Sequence, residues 1–294
     1  MMKNIIRIGS RDSQLAVIQA EIVRNTIKRV HPELKIEIVT MKTTGDLILD
    51  RNLDQIGGKG LFVKELDQAL MDGRIDISVH SLKDMPMEIS EELPILAYTK
   101  RDDPRDILLY KPGTESIPAR GVIGTSSNRR TLQLEKIFPS CTFPGIRGNI
   151  QTRLKKLEEE PYDGIVLAAA GIRRLGMHSH SSRIFKVTEI LPSAGQGILA
   201  VQGRREEDDS YLQCVMHPES TIAAKAERRF VQALNGGCSS PIAAYAEVAG
   251  QEIRLTGLYY DETAKQSVIE TMIGETSHCE QIGEALARQL KRRF

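Results

Sequence analysis

Residues 75–86 read IDISVHSLKDMP, and the fold turns on this stretch. Its first part, Ile75 to Val79, is apolar enough for a strand with both faces covered. From His80 the chain becomes polar, reaching Lys83, Asp84 and then the break at Met85-Pro86. A buried strand that runs into a polar loop is characteristic of an open α/β sheet, where ligands collect at the carboxyl ends of strands. Toward the N-terminus, Ile5–Ile8 predicts another strand. Leu15, Ile18, Ile22 and Ile27 then recur at helical spacing behind the polar start Asp12-Ser13. Ile36 and Val39 mark a second strand and Leu61–Met71 a second helix, so residues 75–79 become the third strand of a β-α-β series.

Toward the C-terminus the rhythm restarts after a polar break at Lys100–Arg105. Val122–Gly124 predicts a strand, Asn128–Ile137 and Asn149–Glu160 helices, and Gly164–Leu167 a strand. A second break, Pro192–Gly197, precedes the short strand Ile198–Gln202. Two breaks bracketing one lobe imply that the chain enters it and returns, and lobes joined in this way close over ligands by hinge motion. After these, a helix at Thr221–Leu234, alternating stretches near 242–248, 252–258 and 267–273, and a helix at Ser277–Lys291 predict a small α+β domain. The expected fold is therefore α/β: two α/β lobes joined by a double-crossing hinge, plus a C-terminal α+β domain with a three-stranded antiparallel sheet. The expected domains are 1–99 with 198–216, then 103–193, then 219–294.

Composition removes several function classes. The chain has 294 residues, 40 Lys+Arg against 39 Asp+Glu, and a formal net charge of +1. Such balance argues against a nucleic-acid partner, and a chain without Trp offers few base-stacking platforms. There is no apolar run of ~18 residues, so no membrane span is expected. The opening MMKNIIRIGSRDSQ lacks the apolar core of a secretory signal. Cys141, Cys214, Cys238 and Cys279 form no CxxC pair, which suits free thiols in a reducing compartment. A cytoplasmic chain is expected, and a monomer, because no coiled-coil pattern or large apolar interface is visible.

Four constellations could carry chemistry. Lys83 and Asp84 follow the third strand, although an ordinary turn capped by Asp84 would look the same. Arg129 and Arg130 in GTSSNRR, and Arg147 and Arg153 in RGNIQTR, stand at helix starts, while Arg11 and Arg174 lie beside other strand ends. Helix-start amides and guanidinium forks both favour anions, so the set suggests a ligand with several negative charges. Taken singly, each arginine reads as a solvated surface residue. Asn235-Gly236-Gly237-Cys238 presents a thiol on an unusual turn, with a buried structural cysteine as the plainer reading. Gly45–Gly60 lacks the spacing of a phosphate loop and reads better as a lid with glycine hinges. His178 and His180 have no companion at ligand spacing, so no metal is expected.

Together these motifs resemble the porphobilinogen deaminase (hydroxymethylbilane synthase) family. The resemblance runs from Ile5 to the C-terminus through RIGSRDSQLA, GGKGLFVKEL, VHSLKDMP, GTSSNRR, RGNIQTRL, AAAGIRRLG, LPSAGQG and ALNGGCSSPIAAYA. It implies three domains, the first two like periplasmic binding proteins. It implies a covalent dipyrromethane cofactor on Cys238, and the head-to-tail joining of four porphobilinogen units with loss of ammonia, hydrolysis giving hydroxymethylbilane. Asp84 matches the catalytic aspartate. Lys83, Ser81, Thr125, Ser127, Arg129, Arg130, Arg147 and Gly148 match cofactor-binding positions. Arg11, Ser13, Gln19, Arg147, Arg153 and Arg174 match positions that meet porphobilinogen and the growing oligopyrrole, and Lys59 and Phe62 fall in the lid. Each pyrrole carries an acetate and a propionate, so a cation-rich cleft suits the chain.

Two positions depart from the family pattern. Asn128 stands where a leucine is usual and Gln202 where a glutamate commonly follows the hinge. Two competing readings remain from the residues alone. A two-lobed binder of a small anion leaves Cys238 and Asp84 without a task, and a phosphate-ester enzyme would call for a metal site.

Overall fold

A computed structural model describes residues 5–43, 63–177, 181–236 and 240–294. The first lobe opens with β1 (Ile5–Arg11), which buries Ile6 and Ile8. Ser13 then caps α1 (Gln14–Val30), its hydroxyl accepting the Ala16 N–H at 3.3 Å. The face that α1 buries differs from the expected one. It is Ala16, Gln19, Ala20, Val23 and Ile27, while Ile22 is 37% exposed. Small residues at the contact let the helix lie close to the sheet, and the larger side chains flank it.

β2 (Lys35–Met41) pairs in parallel with β1 along its whole length. Next come α2 (Lys64–Met71) and β3 (Ile77–Ser81). β3 begins two residues later than the apolar run, because Asp76 is used before the ladder starts: its N–H donates to the Arg7 carbonyl at 2.8 Å and its carboxylate accepts the Arg7 N–H at 2.7 Å. His80 and Ser81 are consequently the last strand residues and not loop. β4 (Ile95–Tyr98), beside Pro94, has no counterpart in the sequence reading. The sheet order is β2-β1-β3-β9-β4, where β9 (Leu199–Gly203) is the strand that returns from the second lobe.

The second lobe holds β5 (Asp106–Tyr110), β6 (Ile123–Gly124), α3 (Asn128–Ile137), α4 (Ile150–Glu159), β7 (Gly164–Ala168), α5 (Ala169–Arg174) and β8 (Ser182–Ile184). Its four strands run β6-β7-β5-β8, with β5 antiparallel to both neighbours. β5 and β8 also went unforeseen; β5 opens on a charged residue directly after a polar break, which hides its start. The two crossings between the lobes lie side by side, the Asp102 N–H donating to the Gly197 carbonyl at 3.1 Å. Gly197 has φ +91, and a Cβ there would stand 2.5 Å from the Asp102 carbonyl oxygen, so the close approach requires glycine.

The C-terminal domain consists of α6 (Pro218–Ala233), the antiparallel β10 (Ala243–Ala249), β11 (Glu252–Asp261) and β12 (Gln266–Glu275), and α7 (Cys279–Lys291). One sheet face packs Ile253 and Leu255 against Phe230, Leu286 and Leu290 of the two helices. The other face sets Ala243 and Leu258 against Leu191 and Leu132, so this domain docks on the second lobe and its hinge. No helix among the described residues is long and apolar enough to cross a membrane.

Candidate functional site

β3 ends in one 3₁₀ turn, Leu82–Asp84. Leu82 and Met85 are fully buried and pack with Ile198, Ala200 and Ala224, which anchors the turn on both sides. Lys83 and Asp84 stand between these anchors, Lys83 partly buried and Asp84 exposed. The Lys83 ammonium donates to Gln196 Oε1 at 3.4 Å. Enclosure of that ammonium lowers its pKa to about 8, with Arg130 and Arg129 adding to the effect while Asp84 and Asp106 oppose it. Behind the turn, buried Gln19 on α1 donates through Nε2 to Ser81 Oγ at 2.9 Å and so joins the ends of α1 and β3.

Arg129 and Arg130 are not the solvent-facing cations that the spacing suggests. They are 4% and 6% exposed, and both turn onto Asp106 at the head of β5. Arg129 Nη2 lies 2.9 Å from Asp106 Oδ2, and Arg130 Nη2 lies 2.8 Å from Oδ1. Their other arms donate to the Leu191 and Val166 carbonyls at 2.7 and 2.9 Å. Burial alone would raise the Asp106 carboxyl, but the two guanidiniums and the Gln196 amide outweigh it and hold it well below the usual carboxylate range. The pair plus Asp106 thus contributes one net positive charge, fixed in place.

Arg153, on α4, donates through Nε to the Gly148 carbonyl at 2.8 Å. Gly148 adopts φ +110, and a Cβ there would approach Thr152 Cγ2 to 2.6 Å. Burial, then the positive charges of Arg130 and Arg147, push Arg153 down to about 10, with Asp84 pulling the other way. Arg147 has a buried Nη1 that makes no hydrogen bond among the described residues. A buried guanidinium nitrogen without an acceptor is unfavourable and marks where an anionic oxygen would be accommodated. Thr125 and Ser127 lead into α3. Ser127 is its N-cap residue, yet its side chain makes no capping bond.

Lys83, Asp84, Arg129, Arg130, Arg147 and Arg153 therefore share one electrostatic neighbourhood spanning both lobes. Arg11 and Ser13 lie at the carboxyl end of β1 and the start of α1. Arg174 is committed to the hinge: its Nη2 donates to the Gly197 carbonyl at 2.6 Å and its Nε lies 3.4 Å from Asp102 Oδ2. Cys238, Lys59, Phe62, His178 and His180 lie outside the described residues, as does the segment 45–60. The sequence reading missed Asp106, Gln196, Arg101 and Glu227. Asp106 carried no usable signal: it opens β5 at the amino end, directly after the charged break Arg101–Arg105, whereas Asp84 follows its strand.

This donor set suits an elongated molecule with several carboxylates. It offers mutually repelling cations, two orphaned guanidinium nitrogens (Arg130 Nε and Arg147 Nη1) and helix-start hydroxyls, and among the described residues no cluster of three or more His, Cys, Asp or Glu could hold a metal. The acidic side chains of a dipyrromethane cofactor suit this set of groups. Residues 6–212 match the family model "porphobilinogen deaminase, dipyromethane cofactor binding domain", and residues 221–292 match "porphobilinogen deaminase, C-terminal domain". The chain is 52% identical to the porphobilinogen deaminase of Acetivibrio thermocellus, over 97% of each chain. It is 51% identical to that of Ruminiclostridium cellulolyticum, again over 97% of each. Among solved structures it is similar to the periplasmic aliphatic sulphonate binding protein SsuA of Escherichia coli (TM-score 0.42, 13% identity, 80% of this chain and 71% of that one). With both family models matched in order and identity above half along nearly its full length, the chain belongs to the porphobilinogen deaminase family.

Proposed function

We propose that Asp84 is the catalytic residue of this chain. We further propose that Cys238 anchors the dipyrromethane covalently, with Ser81, Lys83, Thr125, Ser127, Arg129, Arg130, Arg147 and Gly148 holding its acidic side chains. Arg11, Ser13, Gln19, Arg153 and Arg174, with Arg147, meet porphobilinogen and the lengthening chain, and Lys59 and Phe62 belong to a lid. The activity is that of the family: four porphobilinogen molecules are joined head to tail with release of ammonia, and hydrolysis yields hydroxymethylbilane for tetrapyrrole biosynthesis.

The observation that carries the assignment of Asp84 is its setting. It is an exposed carboxylate whose charge acts on both Lys83 and Arg153, in a neighbourhood otherwise dominated by cations. Loss of ammonia from porphobilinogen leaves positive charge on the substrate, which these cations would disfavour. Asp84 stabilises that charge as it develops. The amine leaves as ammonia from its ammonium form, and the same carboxylate can take the ring proton released when the new carbon–carbon bond forms. When bound, the dipyrromethane supplies the terminal pyrrole carbon that acts as nucleophile. The guanidiniums neutralise the acetate and propionate groups and hold them in register. A thioether at Cys238 would survive many cycles where an ester would hydrolyse.

The domains are proposed as 1–99 with 198–216, 103–193 and 219–294. The chain is proposed to act as a cytoplasmic monomer without metal, nucleic acid or membrane partner. Asp84→Asn tests the central role: the variant should fold and carry cofactor but lose about 100-fold or more of turnover. Near-normal turnover in the pure variant would refute it.

A further inference from the structure

Gln196 occupies the hinge turn between Gly195 and Gly197, both at positive φ (+74 and +91), and is 1% exposed. Its side chain reaches three separate parts of the molecule. Nε2 donates to the Pro104 carbonyl on the opposite crossing at 2.6 Å and to Asp106 Oδ1 in the second lobe at 2.9 Å. Oε1 accepts from Lys83 Nζ in the first lobe at 3.4 Å. A carboxamide presents a donor and an acceptor at one end without a charge, so it can bridge a carboxylate to an ammonium where an acid or a base would repel one of them. Asp106 in turn fixes Arg129 and Arg130.

We infer that Gln196 is a positioning residue that links Asp106 of the second lobe, across the hinge, to the Lys83 ammonium beside Asp84. This rests on the reading of Lys83 as part of the cofactor site. The relay sets the Lys83 ammonium against the guanidiniums of the facing lobe, and its geometry depends on the relative position of the two crossings. Among the described residues, the charged groups that act on Lys83 include Asp84 on its own turn, Arg129 and Arg130 on α3, and Asp106 on β5. Gln196 adds the uncharged acceptor from the hinge.

The test is the pH profile of kcat/KM, measured per cofactor-loaded chain with loading read by intact mass. Removing the acceptor in Gln196→Met disfavours the charged ammonium, so the alkaline limb should move down by about 0.5–1 pH unit. Gln196→Glu is close in shape and exchanges the neutral acceptor for an acid that attracts the ammonium while repelling Asp106, so the limb should move up. In a Lys83→Arg background, neither substitution should move the limb. Loss of stability alone cannot move a titration limb in opposite directions. Limbs coincident with wild type, shifts of the same sign, or shifts that persist with Lys83→Arg would each overturn the inference. If Gln196→Met fails to fold, Gln196→Ala, which also removes the acceptor, takes its place and should move the limb down. Absence of porphobilinogen turnover in the wild-type chain would instead overturn the site reading.

Discussion

Arg101 Nη2 lies 2.7 Å from Oε1 of the wholly buried Glu227, joining the first hinge crossing to the helix α6 that leads toward Cys238. The same Oε1 accepts the Ala246 N–H, and Oε2 accepts the Gly195 N–H on the second crossing, both at 2.7 Å. One carboxylate thus fastens the two crossings to the C-terminal domain. Burial raises the Glu227 pKa despite Arg101, which indicates that much of the pair's attraction is spent on desolvation. Removing the acid alone leaves a mostly buried guanidinium and two amides without acceptors. Glu227→Ala should therefore lower unfolding stability by about 3–5 kcal/mol in urea. A loss below about 1 kcal/mol would show that the joint relaxes or is hydrated, as surface pairs are.

His80 supplies a pH dependence of stability. Its ring is buried at the end of β3, with Nε2 2.8 Å from Ser78 Oγ. Burial, then the Arg11 charge, lower its pKa from 6.5 to about 4, against a smaller opposing contact from Gln202. The folded state therefore favours the neutral ring. Its contribution is fully present above pH 6.5 and is lost as pH falls through about 4. Asp67 has the reverse sign: burial raises it to about 6, so its contribution is lost as pH rises through that value. Comparison with His80→Gln separates the two. In urea unfolding between pH 6.5 and 4, wild type should lose about 3 kcal/mol relative to the variant, because the Asp67 gain is common to both. Parallel curves would remove His80 from the account.

Arg147 should be more important to ligand than to fold. Its buried Nη1 makes no hydrogen bond among the described residues, so deleting the charge removes an unfavourable feature of the unliganded cleft. Arg147→Gln should keep or raise Tm in cofactor-free chain. It should raise KM for porphobilinogen about tenfold, as expected for one lost charge-assisted contact. A marked fall in Tm with unchanged KM would assign Arg147 to the scaffold instead.

Much of this was legible in the residues because local chemistry and tertiary role coincided. α3 spans Asn128–Ile137 as the periodicity indicated, and the C-terminal strands fell within a few residues of their alternating stretches. β5 was hidden because its first residue is Asp106, an acid that reads as loop until Arg129 and Arg130 arrive from elsewhere in the fold to neutralise it. Gln196 and Glu227 were invisible for the same reason. An amide between glycines and an acid within a helix gain meaning only from partners 90 and 126 positions away in the chain. The arginines were found by residue type, but type does not tell an inward guanidinium held by Asp106 from one such as Arg147. Of the two departures, Asn128 is exposed at the first turn of α3 and Gln202 is buried. The Gln202 side chain touches both Asp67 and His80, where a neutral amide avoids placing a second acid beside Asp67.

The central claim is that this cation-lined cleft carries an acidic oligopyrrole joined to the chain through the Cys238 sulfur. Intact mass of the purified protein, followed by mass analysis of the peptide that contains Cys238, measures this directly. The account predicts an excess equal to two linked pyrroles on that peptide, and none in Cys238→Ser, which should also fail to stain with an aldehyde reagent for dipyrromethanes. A mass equal to the bare sequence after incubation with porphobilinogen, or the same adduct in Cys238→Ser, would contradict it.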